Sequence, residues 1–233
     1  MDKSYSGKFN EIKSLAERGQ LYFYREMFLI WVFPVEVFKA FKDVYICTYL
    51  FDYQIQKYYY DLNNLEYAKV SVENGEIIKY KEQTDNIFKI KIYDGAINYI
   101  GEDKMALSMS WFAKKKRSGS LKLLKNNMEN FRRNIANCKA KDVLWTTFSE
   151  YKNDLAGMGY KGGFLFHTAR AVNEYQNRHN VMYCINKFIN PVIANYFKAH
   201  NIDVDEDKYA LSEMLQFLYR SAVRHGEEIY CYI

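Results

Sequence analysis

The spacing of apolar and polar positions changes character several times along the chain. Residues 8–18, KFNEIKSLAER, repeat at helical spacing and stop at Gly19, which predicts a short amphipathic helix. LYFYRE and FLIWVF follow as strand-like runs, and Pro34 suits the first turn of a short helix, VEVFKAFK. The run VYICTYLF, 44–51, is almost continuously apolar and sits between Asp43 and Asp52. That pattern predicts a buried central strand. YQIQKYYYDL returns to a helix. EYAKVSV and EIIKYK flank Asn74-Gly75, the dipeptide that favours a tight primed turn, so a hairpin is predicted there. NIFKIKIYDG alternates as a further strand.

Residues 103–137 read as mostly helical with a break at SGS, 118–120. WTTFSEYKNDLAG is predicted as a helix ended by glycine, GGFLFHTA as a strand, and RAVNEYQNRHN as irregular or partly helical. VMYCINKFIN and PVIANYFKAH read as two helices split at Asn190-Pro191. A last helix is predicted over about 207–225, with Gly226 as its stop, before the strand EIYCYI. Helices and buried strands alternate, so the fold class is α/β. No internal repeat is present.

With 49% apolar and 26% charged residues, a core can form and disorder is disfavoured. The 22 Tyr and 16 Phe fit an A/T-rich coding sequence at least as well as they fit a function. No run of about 18 apolar residues occurs, and the opening MDKSYSGKFNEIK lacks an apolar signal core. The four cysteines are isolated, which excludes a zinc ribbon on spacing and suits free thiols in a reducing compartment. A cytoplasmic protein without membrane partners is therefore expected. Charge is uneven: between 114 and 141 ten basic residues face one acid, Glu129. A basic segment on an acidic body suits a polyanion partner, DNA or RNA. Lys114, Lys115, Lys116, Arg117, Lys122, Lys125, Arg132 and Arg133 are its candidate phosphate contacts, with Trp111, Phe112 and Phe131 as candidate base-stacking side chains. A solvated helix face is the competing reading.

Several short motifs do not hold. GMGYKG, 157–162, matches G-x-G-x-x-G, but a predicted helix precedes it and a strand follows, the reverse of a dinucleotide site. Gly7-Lys8 lacks the first glycine and the Ser or Thr of a phosphate loop. DVDED, 203–207, has Lys208 and Met214 where a calcium loop needs Gly and Glu; its acids suit a helix N-terminus. The four histidines show no i, i+4 pair, so no metal site is expected. No G-x-S-x-G is present, and no Cys–His pair is singled out.

On the predicted last helix, Gln216, Arg220 and Arg224 fall at i, i+4 and i+8, forming one ridge. ALSEMLQFLYRSAVRHGEEIYCYI resembles the last motif of helicase-like NTPases of the DEAD/DEAH-related superfamily, especially phage and mobile-element members. TARAVNEYQNRHNVMYCINKFINP, 168–191, is similar to the segment before that motif. VYICTYLFDYQIQKYYYDL, 44–62, is similar to the stretch closing the first lobe. The resemblance implies a RecA-like lobe with a central, mostly parallel sheet and flanking helices. Residues 1–62 would end a first lobe. Residues 63–233 would form a second, with a basic helical insertion at about 103–140 and truncation at the carboxyl end.

It further implies that Gln216, Arg220 and Arg224 act as arginine-finger residues and that Thr48 couples the lobes. The family's second arginine falls where Val223 stands; Arg224 comes one residue later, a rotation of about 100°. No phosphate loop and no D-E-x-x strand occur. ATP and Mg²⁺ would then be held by a missing N-terminal ATPase lobe of the same polypeptide, and this chain alone would not hydrolyse ATP. A non-enzymatic phage-encoded module that binds nucleic acid or protein is the alternative, and a hydrolase with an unrecognised site is a third reading.

Overall fold

The computed structural model describes residues 7–24, 28–81 and 87–233. Its elements, in chain order, are α1 (Asn10–Glu17), β1 (Leu21–Tyr24), β2 (Phe28–Trp31), α2 (Glu36–Lys39), α3 (Ile55–Leu62), β3 (Val70–Glu73), β4 (Glu76–Lys79), β5 (Ile90–Ile92), α4 (Met109–Lys115), α5 (Ser120–Asn130), β6 (Val143–Thr146), α6 (Lys152–Leu155), β7 (Asn180–Tyr183), α7 (Pro191–Ala199), α8 (Glu206–Leu218) and β8 (Ile229–Tyr232). They form two compact units. One comprises residues 1–66 with Ile189–Glu206; the other comprises Tyr67–Phe188 with Asp207–Ile233.

The larger unit is α/β. Its sheet has the order β5-β8-β7-β6, and all three pairings are parallel. Parallel strands need long crossovers, and here the β5-to-β6 connection contains α4 and α5. Strand β6 is buried at every position, because both faces of a parallel sheet are covered. The chain's last strand, β8, lies inside the sheet with Ile229, Cys231 and Tyr232 buried, as the run EIYCYI predicts. Ser108 caps α4 by accepting from the Trp111 amide at 3.2 Å. Gly119, at φ 79°, opens α5 at the predicted SGS break. Phe112, Leu124, Met128 and Phe131 from these helices join Trp145, Tyr160 and Tyr232 in one core. The Asn74-Gly75 turn has both residues at positive φ, and β3 and β4 pair around it as predicted.

Several elements differ from the sequence expectation, three of them around β6 and β7. The stretch expected as a helix from Trp145 instead ends strand β6, followed by a 3-10 turn at Ser149–Tyr151 and one helical turn. Val-Leu-Trp-Thr-Thr-Phe is β-branched and aromatic, and that preference prevails. Val181–Tyr183, expected as helix, lie in β7, between β6 and β8. An apolar run this short carries no decisive period. The expected strand at 162–169 is reduced to a single parallel bridge between Phe164 and Trp145.

In the smaller unit β1 and β2 form an antiparallel hairpin. One hairpin face, with Tyr22 and Ile30, packs with Tyr58 of α3 and with Tyr196 and Phe197 of α7. Asn190 caps α7 and Pro191 starts it. The strand expected at 44–51 is not formed. Residues 44–48 have no regular structure, and Val44, Tyr45 and Ile46 are 46%, 70% and 38% exposed. Leu50 turns left-handed at φ 53° to start the 3-10 turn Phe51–Tyr53, which ends any extended run. Among the described residues no strand pairs with this segment.

Candidate anion-binding site

The end of α8 does not continue as one helix, contrary to the expected 207–225. Arg220 N and Ser221 N bond three residues back, to Phe217 O at 3.0 Å and Leu218 O at 2.9 Å. The Ser221 hydroxyl donates to Leu218 O at 2.6 Å, and Ser221 itself is extended. A separate 3-10 turn, Ala222–His225, follows and stops at Gly226, φ 74°. Burial of Ala222 and Val223, together with Ala222 N donating to Arg178 O, redirects the chain. Gln216 lies on α8, Arg220 in the turn and Arg224 in the 3-10 segment, so the straight i, i+4, i+8 ridge is absent.

The side chains still gather, with partners that the sequence did not single out. Arg170 Nη1 donates to Gln216 Oε1 at 2.6 Å. Arg170 Nη2 lies 3.7 Å from Glu213 Oε1, and Lys187 Nζ pairs with the other oxygen of Glu213. Arg224 Nη1 donates to Asn173 Oδ1 at 2.6 Å. Arg220 is only 9% exposed, and its Nε is buried with no hydrogen-bond partner. Burial and the neighbouring guanidiniums of Arg170 and Arg224 push its pKa down, against the opposing pull of Glu213. One carboxylate thus faces Lys187 and Arg170 directly, with Arg220 close by. A buried donor without a partner costs about 1–3 kcal/mol, and an oxyanion is the ligand that would remove that cost. Glu213 stands one turn before Gln216 and was accessible to helical spacing; Arg170 and Lys187 arrive from distant segments, and no spacing signal could find them.

Lys187 also lines a cleft of about 390 Å³ with Leu107, Ile185, Leu211, Met214 and Ile233. The cleft lies where β7 and β8 end, the side of a parallel sheet where ligands commonly bind.

His167 follows the Phe164 bridge. Its Nδ1 is buried without a partner. Burial first, then Lys187 and Arg170, hold its pKa below the ordinary value, while Glu213 and Glu150 oppose them. A histidine depressed on folding binds its proton more readily when unfolded. Its contribution to stability is therefore present above the unfolded pKa, about 6.5, and is lost as pH falls below it. His167→Gln is expected to reduce the drop in urea midpoint between about pH 7 and pH 5. An unchanged drop would show that His167 does not report on this cluster.

In the basic segment, Lys114, Lys115, Lys116, Arg117, Lys122 and Arg133 are exposed, and Lys125 is half-buried. Arg132 differs. Its guanidinium forks onto Glu129 at 3.2 and 2.5 Å and donates to Cys138 O at 3.0 Å. It is committed internally, not presented to a phosphate. Trp111, Phe112 and Phe131 are buried in the core, so they do not offer ring faces to bases. Thr48 is exposed in the smaller unit and accepts from Gln54 Nε2 at 2.6 Å. In the glycine-rich loop, a Cβ on Gly157 would meet the Tyr160 ring at 2.4 Å and one on Gly159 would meet the Arg132 guanidinium at 2.5 Å. Those glycines serve internal packing. Among the described residues no group of three His, Cys, Asp or Glu side chains could hold a metal ion, and no helix is long and apolar enough to cross a membrane.

The chain is 44% identical over 243 residues to the SPbeta prophage-derived uncharacterized protein YonV of Bacillus subtilis (strain 168). The match covers 100% of this chain and 59% of that relative's length. No solved structure matches the chain. Residues 84–233, which contain the whole parallel sheet and the guanidinium cluster, match the family model described as the YonV C-terminal Rossmann-like domain, and the chain belongs to that family of prophage proteins.

Proposed function

We propose that this chain is the phosphate-engaging, nucleic-acid-contacting part of a cytoplasmic helicase or translocase. Its Rossmann-like unit acts as a second RecA-like lobe. Arg220, flanked by Gln216 and Arg224, meets the phosphates of ATP, whose phosphate loop and Mg²⁺ site belong to another part of a longer polypeptide. Arg170 and Lys187, held meanwhile by Glu213, add positive charge to the same place. The observation that supports this reading is the buried, unpartnered Nε of Arg220 among like charges. A guanidinium that meets transition-state charge accelerates phosphoryl transfer by roughly 10³-fold or more. Arg220→Ala in the complete gene product is therefore expected to lower nucleic-acid-stimulated ATP turnover by about three orders of magnitude. Undiminished turnover would remove the proposal.

A second reading is a binding module without catalysis. The exposed row Lys114–Lys115–Lys116–Arg117 with Lys122 and Arg133 favours it, because phosphate-backbone binding needs only accessible cations. Salt-sensitive DNA or RNA binding that these residues control, together with a silent Arg220→Ala, would select it.

A further inference from the structure

Side chains alternate across a strand, and β7 shows which helices cover which face of the parallel sheet. Met182, and Cys184 just past the strand, join the core of Phe112 from α4 and Leu124 from α5. Tyr183, between them, meets the Phe217 ring of α8 at 5.6 Å. Helices α4 and α5 therefore cover one face and α8 the other. In the order β5-β8-β7-β6, the connections that leave β5 and β7 part to opposite faces beyond the end of β8. A crevice at such a switch point is where an open parallel sheet takes its ligands. The cleft of about 390 Å³ has Lys104 and Leu107 from the connection after β5, Ile185 and Lys187 from the one after β7, Leu211 and Met214 from α8, and Ile233 at the end of β8. Its position is thus the switch point itself. Leu107 is buried there in the left-handed region, at φ 59°. A bulky side chain keeps that conformation only where its surroundings impose it, and such residues gather at ligand clamps. The Asn186 amide donates to Leu107 O at 2.8 Å and its side chain to Lys104 O at 3.1 Å, so the two connections are tied to each other and the cleft is preformed.

We propose that this cleft binds a nucleoside monophosphate, with the base among Leu107, Ile185, Leu211 and Met214 and the phosphate on Lys104 and Lys187. The site is separate from the Arg220 contact with ATP and does not depend on it. A mostly apolar lining with a few polar groups is the usual make-up of a small-molecule site, and the volume lies near the lower end of the usual range, about 300–1,000 Å³. That suits one nucleotide rather than two joined. The apolar walls favour a flat, weakly polar ring system, and the two ammonium groups favour a compact anion, which Lys meets as a point charge. Asp103, also in the lining, already accepts from the Met105 amide at 2.8 Å. A phosphate at Lys187 takes that ammonium from Glu213, which keeps Arg170, so neither carboxylate is left alone.

Calorimetric titration of adenosine monophosphate into the complete gene product tests this. Binding is expected, and adenosine and ribose 5-phosphate are each expected to bind at least about tenfold more weakly, since each fills half the site. Leu211→Glu places a carboxylate in the cleft at a position that is 40% exposed, and Lys104→Met removes one exposed ammonium. Both are expected to weaken binding at least about tenfold with circular dichroism unchanged. Photolabelling with 8-azidoadenosine monophosphate, followed by peptide mapping, is expected to mark peptides that contain residues 101–107 or 210–214. No binding overturns the proposal, as does binding that both variants retain or label found only outside those peptides. A loss confined to Arg220→Met would assign the nucleotide to the guanidinium cluster and overturn the cleft as its site.

Discussion

Arg220→Met is expected to make the protein more stable in phosphate-free buffer, by about 1–2 kcal/mol. Most substitutions of a nine-tenths buried residue destabilise, so the sign is informative. Methionine has a similar reach and fills the space by flexible packing. It removes three unfavourable features at once: a buried charge, an Nε without a partner, and repulsion from Arg170 and Arg224. Glu213 keeps its contacts with Lys187 and Arg170 in the variant, so no carboxylate is left alone. Urea denaturation checks the prediction. A loss of more than about 2 kcal/mol would mean that Arg220 is a structural cation that Glu213 needs.

Gly163→Ala is expected to have the largest effect on stability, a loss of about 3 kcal/mol or more. A Cβ at Gly163 would lie 2.0 Å from Val143 O and 3.0 Å from the Val143 carbonyl carbon. Those are backbone atoms at the start of the fully buried strand β6, so neither can swing aside. Relief would require separating the 163–165 segment from β6, with loss of the Phe164–Trp145 bridge and the Leu165 N to Trp145 O bond at 3.0 Å. Gly162→Ala is the control. Nothing lies within 4 Å of its Cβ position, so it is expected to be neutral within about 0.5 kcal/mol. Equal thermal midpoints for the two variants would show that the close approach is not required.

The parts of this fold that local chemistry dictates were legible in the sequence. Asn74-Gly75 fixed a hairpin, Gly119 a helix break, Asn190-Pro191 a helix start, and the apolar run at 229–232 a buried strand. Runs whose state depends on what surrounds them were not. VMYC and VYICTYLF look alike on paper; the first finds a strand on each side, and the second finds none among the described residues. Helical spacing continues through Arg224, but α8 ends at Leu218 because burial of Ala222 and Val223 redirects the chain. Gln216, Arg220 and Arg224 could be named from that spacing. Arg170 and Lys187 could not, since only the crossovers around β6 and β7 bring them to Glu213. Arg132 shows the reverse error: one acid three residues away turns a presumed phosphate contact into a structural fork.

Calorimetric titration of tripolyphosphate into the complete gene product and into its Arg220→Met variant tests the phosphate role of the guanidinium cluster most directly. Tripolyphosphate carries the anion without a base or sugar. Binding to the wild type that weakens at least about tenfold in the variant is the predicted result. Equal affinity in the two, or no binding to either, would contradict it.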